Sequence, residues 1–325
     1  MLKTIARTFL CLAFAALATA AWAQGVKFPT KTVRIIVGYG PGTTSDVFAR
    51  LIANALTQRW GGQAVIVENK PGASGAIGAD LVAKADPDGH TLMLISNAFT
   101  LGPLLQKTLP YDPFRDFAPI TQVAQTPNIF LVSKTLGVNN LKEFIAYAKA
   151  NPGKLQYSSS GAGTPSHITV ELFKSMAGIQ MQEIPYKSSS QAFTDVISGF
   201  VALNAPGLAQ GIPYVAEGRV VTLGITGSKR APGAPDIPTL AEAGLPGYEA
   251  YGWHGIFAPG KTAPQIVAFL HKEISAALAD PELRDKFGKA GAELVASEPQ
   301  AFAAFLRKDF EVWKKLFTEI GIKPE

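Results

Sequence analysis

The stretch VRIIVGYGPGTTSD, residues 33–46, joins a strand to a helix through a glycine-rich turn. Its first five residues are aliphatic apart from Arg34, which is typical of a buried strand. Apolar residues then recur at helical spacing over residues 46–59, so a helix is predicted there. A strand that leads directly into a helix is the repeating unit of an α/β fold with a mostly parallel sheet.

The same alternation continues along the chain. Strands are predicted at residues 64–67, 91–95, 129–132, 155–158, 182–185, 201–204 and 220–225. Helices are predicted at 141–150, 166–177, 190–198, 208–217, 264–279, 282–288 and 299–320, and a further one follows the glycine-rich turn at 71–75 and ends near residue 84. A Pro- and Gly-rich stretch runs to residue 247 and is followed by residues 251–258. We expect residues 27–123 and 227–325 to form one lobe and residues 124–226 to form the other. The two chain crossings would then make a hinge, and a ligand cleft would lie between the lobes.

The N-terminus has the pattern of an export signal. Lys3 and Arg7 precede a short apolar run, and Ala21-Trp22-Ala23 is a small-x-small cleavage site, so residues 1–23 are predicted to be a signal peptide that directs the chain to the periplasm. A membrane anchor is the alternative, but the run is shorter than the roughly 20 residues that usually span a bilayer. The only cysteine, Cys11, would be removed with this segment.

The charge pattern argues against several classes of protein. The formal net charge is +5 and falls to +3 without Lys3 and Arg7. The sequence contains no run of five like charges, which argues against nucleic-acid binding. None of the four histidines has the spacing of a metal site. We therefore expect no metal.

The first candidate ligand loop follows the first predicted strand. Glycines allow close approach of the backbone to a ligand, and a helix start offers unpaired N–H groups that suit a carboxylate. The predicted contacts in this loop are Tyr39, Gly40, Gly42, Thr43, Thr44 and Asp46. Ordinary helix capping is the alternative, while a dinucleotide site is disfavoured because Pro41 interrupts the turn and the third glycine is missing.

A second loop, residues 158–167, joins a strand to a helix in the other lobe. Its predicted ligand contacts are Ser159, Ser160, Gly161, Thr164 and His167. Together the two loops would hold one anion across the cleft. An exported hydrolase with a serine nucleophile and His167 as its base is the alternative, although no Gly-x-Ser-x-Gly motif is present.

Four more residues follow strands at the same predicted edge: Ser96, Lys187, Ser188 and Ala205. Because parallel strands end at one edge of a sheet, these residues are expected at the rim of the cleft. Lys187 would attract an anion there, although an exposed surface lysine is the usual case.

Several motifs in order give the chain a resemblance to a known family. They are VGYGPG at 37–42, VENKPGA at 67–73, PDG at 87–89, LPYDP at 109–113, SSG at 159–161, PYK at 185–187 and PTLAEAG at 238–244. Over essentially its whole mature length the chain resembles the extracytoplasmic solute receptors of tripartite tricarboxylate transporters, the Bug or TctC family. This resemblance implies a bilobed α/β fold of the type II-like periplasmic-binding-protein kind, with two mixed-sheet lobes, and it implies no cofactor and no catalysis.

The resemblance also implies how the ligand is held. Backbone N–H groups, hydroxyls and bridging water from the two loops would hold a carboxylate. Asp46 would cap the helix or hold a water molecule rather than touch the anion. Thr43 and Ser188 stand where the family usually has glycines, and we expect their added hydroxyls to contact the solute or to narrow the pocket.

The expected function is capture of a dicarboxylate or an aromatic carboxylate. The ligand would be delivered to the small and large membrane subunits of a tripartite tricarboxylate transporter. The alternatives are the hydrolase and a ligand sensor that docks on a signalling protein.

Overall fold

A computed structural model of the chain describes residues 28–231, 233–319, 321–322 and 324. The predicted signal peptide, residues 1–23, lies outside the described residues. No helix among those described combines the length and the hydrophobicity needed to cross a membrane.

The first lobe is built on a mixed six-stranded sheet in the order β11-β4-β10-β3-β1-β2. Its strands are β1 Val33–Val37, β2 Val65–Asn69, β3 Thr91–Ser96, β4 Phe117–Thr126, β10 Gly252–Pro259 and β11 Glu293–Leu294. β1 pairs in parallel with β2 and β3, whereas β10 runs antiparallel between β3 and β4. The sheet is therefore mixed rather than mostly parallel, because the returning chain fills a central position.

The second lobe is built on a mixed five-stranded sheet in the order β7-β6-β8-β5-β9. Its strands are β5 Ile129–Val132, β6 Leu155–Ser159, β7 Met181–Pro185, β8 Leu203–Asn204 and β9 Val221–Ile225. β6 is parallel to β7 and β8, and β5 is antiparallel to β8 and β9.

Helices cover both sheets. They are α1 Thr44–Arg59, α2 Ala76–Ala83, α3 Ala98–Leu105, α4 Leu141–Ala150, α5 Pro165–Ala177, α6 Ser189–Ser198, α7 Leu208–Ala216, α8 Pro264–Leu278, α9 Pro281–Lys289 and α10 Pro299–Glu319. Each lobe has its own apolar core: Phe48, Phe257 and Phe302 are fully buried in the first, and Phe144 and Phe173 in the second.

The division between the lobes differs from the predicted one at both crossings. β4 continues to Thr126, beyond the predicted boundary at residue 123. Leu240 and Tyr248 belong to the core of the second lobe although they were predicted in the first, and the Tyr248 hydroxyl donates to the Thr169 carbonyl at 2.6 Å. The Pro- and Gly-rich stretch before β10 has no hydrophobic period, so its packing partner is not evident from its sequence.

Candidate ligand-binding site

A cavity of about 460 Å³ lies between the two lobes. It is lined by the segments that follow β1, β3, β6, β7 and β8, so the carboxyl ends of parallel strands from both sheets face it. This is the usual ligand position in open α/β sheets. Its size is in the range of pockets for small organic molecules.

Most of the predicted contact residues line this cavity. Those that do are Tyr39, Gly40, Thr43, Thr44, Ser96, Ser159, Ser160, Gly161, Thr164, Lys187 and Ser188. Four predicted residues are not part of the lining: Asp46, His167 and Ala205 are buried, and Gly42 is exposed. The structure thus brings the two predicted loops to opposite walls of one cavity.

Thr43 is the N-cap of α1. Its Oγ1 accepts a hydrogen bond from the Asp46 N–H at 3.4 Å and donates to the Gly40 carbonyl at 2.9 Å. Within the described part of the chain, no acceptor pairs with the N–H of Thr44 or Ser45. These two N–H groups, at the positive end of the helix dipole, are therefore the donors that α1 offers to an anion.

Asp46 supports the loop from behind. Its carboxylate accepts hydrogen bonds from the Gly42 N–H, Asn69 Nδ2 and Arg50 Nε at 2.9–3.0 Å. Burial opposes its ionisation, but the bonds from Arg50, Gly42 and Asn69 outweigh burial and hold the pKa of Asp46 below its usual value. Asp46 is therefore a fixed, neutralised anion, which agrees with a capping role and not with direct contact to a carboxylate.

His254 on β10 is a lining residue that the sequence did not reveal. Its Nδ1 lies 3.0 Å from Ser45 Oγ and its Nε2 lies 3.4 Å from Thr126 Oγ1. Burial lowers the pKa of His254 to about 3, so the imidazole is neutral at physiological pH. A neutral ring has one donor and one acceptor nitrogen, and it therefore orients the two hydroxyls in opposite senses.

The second loop uses most of its own backbone donors. The internal bonds run from the Ser160 N–H to Ser166 Oγ, the Gly161 N–H to Ser159 Oγ, the Gly163 N–H to His167 Nδ1, and Thr164 Oγ1 to the Gly161 carbonyl. That backbone N–H groups, hydroxyls and bridging water of the two loops together hold a carboxylate stays a prediction. The bonds make the loop rigid, and its hydroxyls and glycine surface face the cavity.

The predicted nucleophile and base are not in contact. His167 Nδ1 accepts the Gly163 N–H at 3.1 Å, and Nε2 faces Glu183 and Glu171 at 3.7 and 4.0 Å. Among the described residues, no serine hydroxyl is hydrogen-bonded to His167. A serine nucleophile is activated by a base within hydrogen-bond reach. The buried hydroxyl of Ser45 has a histidine neighbour, His254, whose pKa burial lowers to about 3.

The charged side chains of the cavity wall are Glu183 and Lys187. Ser159 Oγ donates a hydrogen bond to the Glu183 carboxylate. Glu183 was not predicted as a site residue, because a single acidic residue in a strand has no recognisable sequence pattern. Behind it, Glu171 accepts hydrogen bonds from the Tyr157 hydroxyl at 2.5 Å and from Lys174 Nζ at 2.6 Å. Burial and the two nearby carboxylates raise the pKa of Tyr157 far above its usual value, so it acts only as a neutral donor.

The two lobes touch around the cavity. Gln210 on α7 donates its amide N–H to the Gly42 carbonyl of the opposite lobe. A methyl group at Gly40 would lie 2.6 Å from the Lys187 carbonyl oxygen, and one at Gly161 would lie 2.7 Å from Ser74 Oγ. The lobes are therefore in van der Waals contact at both glycines.

Comparison with known proteins gives one family and several solved structures. The sequence model of a family described as "Tripartite tricarboxylate transporter family receptor" matches residues 48–322. The structure of periplasmic binding protein BugD is 32% identical, covers 92% of this chain and 100% of its own, and superposes with a TM-score of 0.86.

Two further solved structures contain ligands. Rpa4515 of R. palustris with adipate is 34% identical over 92% of this chain and 100% of its own, with a TM-score of 0.88. MatC (Rpa3494) of Rhodopseudomonas palustris with bound malate is 30% identical over 89% of this chain and 99% of its own, with a TM-score of 0.81. These similarities confirm the predicted bilobed fold of two mixed sheets.

Proposed function

Because the chain belongs to the tripartite tricarboxylate transporter receptor family, we propose that it binds a small organic acid between its lobes and delivers it to a membrane transporter. Family membership makes the chain a solute-binding receptor of the Bug and TctC kind. The identity of the ligand and the transfer to small and large membrane subunits are the proposed part. Export to the periplasm through the predicted signal peptide belongs to the same proposal.

One observation carries the proposal: the start of α1 opens into the cavity with the N–H groups of Thr44 and Ser45 unpaired among the described residues. An anion placed there completes their hydrogen bonds and meets the positive end of the helix dipole. The hydroxyls of the opposite loop close the other side. Capture therefore relies on dipoles rather than on an arginine clamp.

The ligands of two solved relatives support an organic acid. Adipate is bound in one and malate in the other, and both are dicarboxylates. A micromolar dissociation constant corresponds to about −8 kcal/mol, which several charge-assisted hydrogen bonds and burial can supply. Closure around the solute is favoured only by contacts made in the closed state.

The test is a thermal-shift screen of the purified protein against organic acids, followed by calorimetry of the hits. We expect dicarboxylates such as adipate or malate to raise the melting temperature, because a ligand that binds only the folded state stabilises it. The matched control is adipamide, which has the same chain length but no charge and should give no shift. A screen without a single acid hit, or serine-dependent ester turnover, would contradict the proposal.

A delivery test completes the proposal. Deleting the chain from a host that contains its transporter should abolish uptake of the acid identified in the screen. Unchanged uptake would assign the protein to sensing instead of transport.

A further inference from the structure

We propose that Glu183 makes this site selective for organic acids that carry a hydrogen-bond donor, a hydroxyl or an ammonium group, over plain dicarboxylates. The inference rests on the proposed function, since it concerns the solute bound in the same cavity. It starts from an unexpected feature, a carboxylate in the wall of a cavity that is otherwise suited to an anion.

Glu183 lies on β7, and its side chain is 25% exposed. One carboxylate oxygen, Oε1, accepts the hydrogen bond of Ser159 Oγ. That hydroxyl in turn accepts the Gly161 N–H at 2.8 Å, so the loop fixes its position. The Glu183 side chain is thereby held against the cavity wall and is not free to turn into bulk solvent.

The groups behind Glu183 do not neutralise it. His167 Nδ1 accepts the Gly163 N–H, so the ring proton sits on Nε2, but Nε2 is 3.7 Å from Glu183 Oε2 and outside hydrogen-bond range. Lys174 is paired with Glu171 at 2.6 Å. Among the described residues, no lysine or arginine lies within 4 Å of Glu183.

The Glu183 carboxylate therefore retains acceptor capacity toward the cavity. An ionised carboxylate offers about four lone-pair positions, and Ser159 fills one of them. When the lobes exclude water, an acceptor without a donor is unfavourable and a second anion beside it is repelled. A hydroxyl or an ammonium group on the solute removes both penalties, while the acid's carboxylate stays at the start of α1.

Three acids of equal chain length test this directly: succinate, malate and aspartate, measured by calorimetry on the wild-type protein. We expect malate and aspartate to bind at least about 10-fold more tightly than succinate. An affinity ratio of this size corresponds to one hydrogen bond to a charged group. This ranking needs no variant. If succinate binds as well as the other two, the inference is overturned even though the proposed function stands.

The variant Glu183→Gln separates the two kinds of donor. The amide oxygen still accepts a hydrogen bond from either donor, so malate should keep part of its advantage. Aspartate should lose more of its advantage because its ammonium group no longer faces a negative charge, and succinate should gain affinity because the repulsion is removed. Glu217→Gln is the matched control, because it removes one negative charge from the same lobe at an exposed site away from the cavity. If Glu183→Gln ranks the affinities of the three acids as the wild type does, the inference is overturned. If the wild-type protein binds none of the acids, the proposed function is overturned as well.

Discussion

Two adjacent threonines in the first loop have different roles. Both threonines line the cavity, but Thr43 Oγ1 is engaged on both sides as the N-cap of α1, whereas Thr44 lies one position later, in the first turn of the helix. A methyl group at Gly207 of the other lobe would lie 2.5 Å from Thr44 Oγ1, so this hydroxyl sits where the lobes meet. Thr43 therefore shapes the loop, and Thr44 is placed to contact the solute.

Replacing each threonine by valine separates stability from binding. Thr43→Val should lower the free energy of unfolding by about 1 kcal/mol because the cap is lost. Thr44→Val keeps the cap. It should instead weaken binding of the organic acid by about 1–3 kcal/mol, since a buried acceptor on the acid loses its donor. Chemical denaturation and calorimetry of both variants measure the two effects, and equal affinity of Thr44→Val and wild type would exclude this contact.

Individual site residues were harder to predict from the sequence than the loops that carry them. The two loops could be predicted, because glycine and hydroxyl residues between a strand and a helix have a local signature. His254 and Glu183 could not, because each is a single polar residue in a strand whose importance depends on which loop packs beside it. The roles within a loop were equally hidden, since the internal hydrogen bonds of residues 159–167 depend on the folded backbone.

At the scale of elements, the last helix is held to the first lobe by a polar contact. Asp309 on α10 accepts the indole N–H of Trp253 on β10 at 2.9 Å and that of Trp313 at 3.1 Å. Burial raises the pKa of Asp309 from 3.8 to about 6, although both indole bonds favour the ionised form. The carboxyl is thus harder to ionise in the folded chain than in the unfolded chain.

The raised pKa of Asp309 makes the unfolding free energy decrease as the pH rises. Protonated Asp309 stabilises the fold fully below about pH 4, and the stabilisation is lost as the pH rises through about 6. Relative to Asp309→Asn, which stays neutral, the wild type should lose up to about 3 kcal/mol of unfolding free energy between pH 4 and pH 7. Denaturant titrations at several pH values measure the difference in unfolding free energy between the two proteins. The contribution of His254 titration is the same in both proteins and cancels in this difference. A difference independent of pH would contradict the assigned pKa.

Most elements agree with the predicted ones to within two residues, because long periodic segments carry their own signal. β4 and α3 were missed for physical reasons. β4 alternates poorly and contains Pro119, while α3 contains Gly102 and Pro103, which are unfavourable in helix interiors. Tertiary packing, not local preference, stabilises both elements, so no single stretch of sequence predicts them.

The whole molecule adopts an arrangement in which the lobes meet around the cavity. Gly40 faces the backbone of Lys187, and neither backbone segment can move aside as a flexible side chain would. Gly40→Ala should therefore disfavour the closed arrangement and weaken binding of any acid by roughly 10-fold, the effect of moderate overpacking. Small-angle scattering with saturating ligand should show a larger radius of gyration than for wild type.

Gly288→Ala on α9 is the control for this variant. A methyl group there meets nothing within 4 Å, so binding should be unchanged and the helix slightly more stable. Wild-type affinity in Gly40→Ala would show that the solute binds without closure at this contact.

The central place of β10 in the first sheet has a consequence for how the chain is assembled. β3 and β4 are not neighbours until residues 252–259 insert between them, whereas the second lobe is complete in strands by residue 225. Until then β3, β1 and β2 can pair with one another, but the β3 edge is open, and β4 has no partner strand because β11 lies still later in the chain. Such edges pair readily with other chains, so we expect the interval before the return strand arrives to be the one in which this protein is most prone to aggregation.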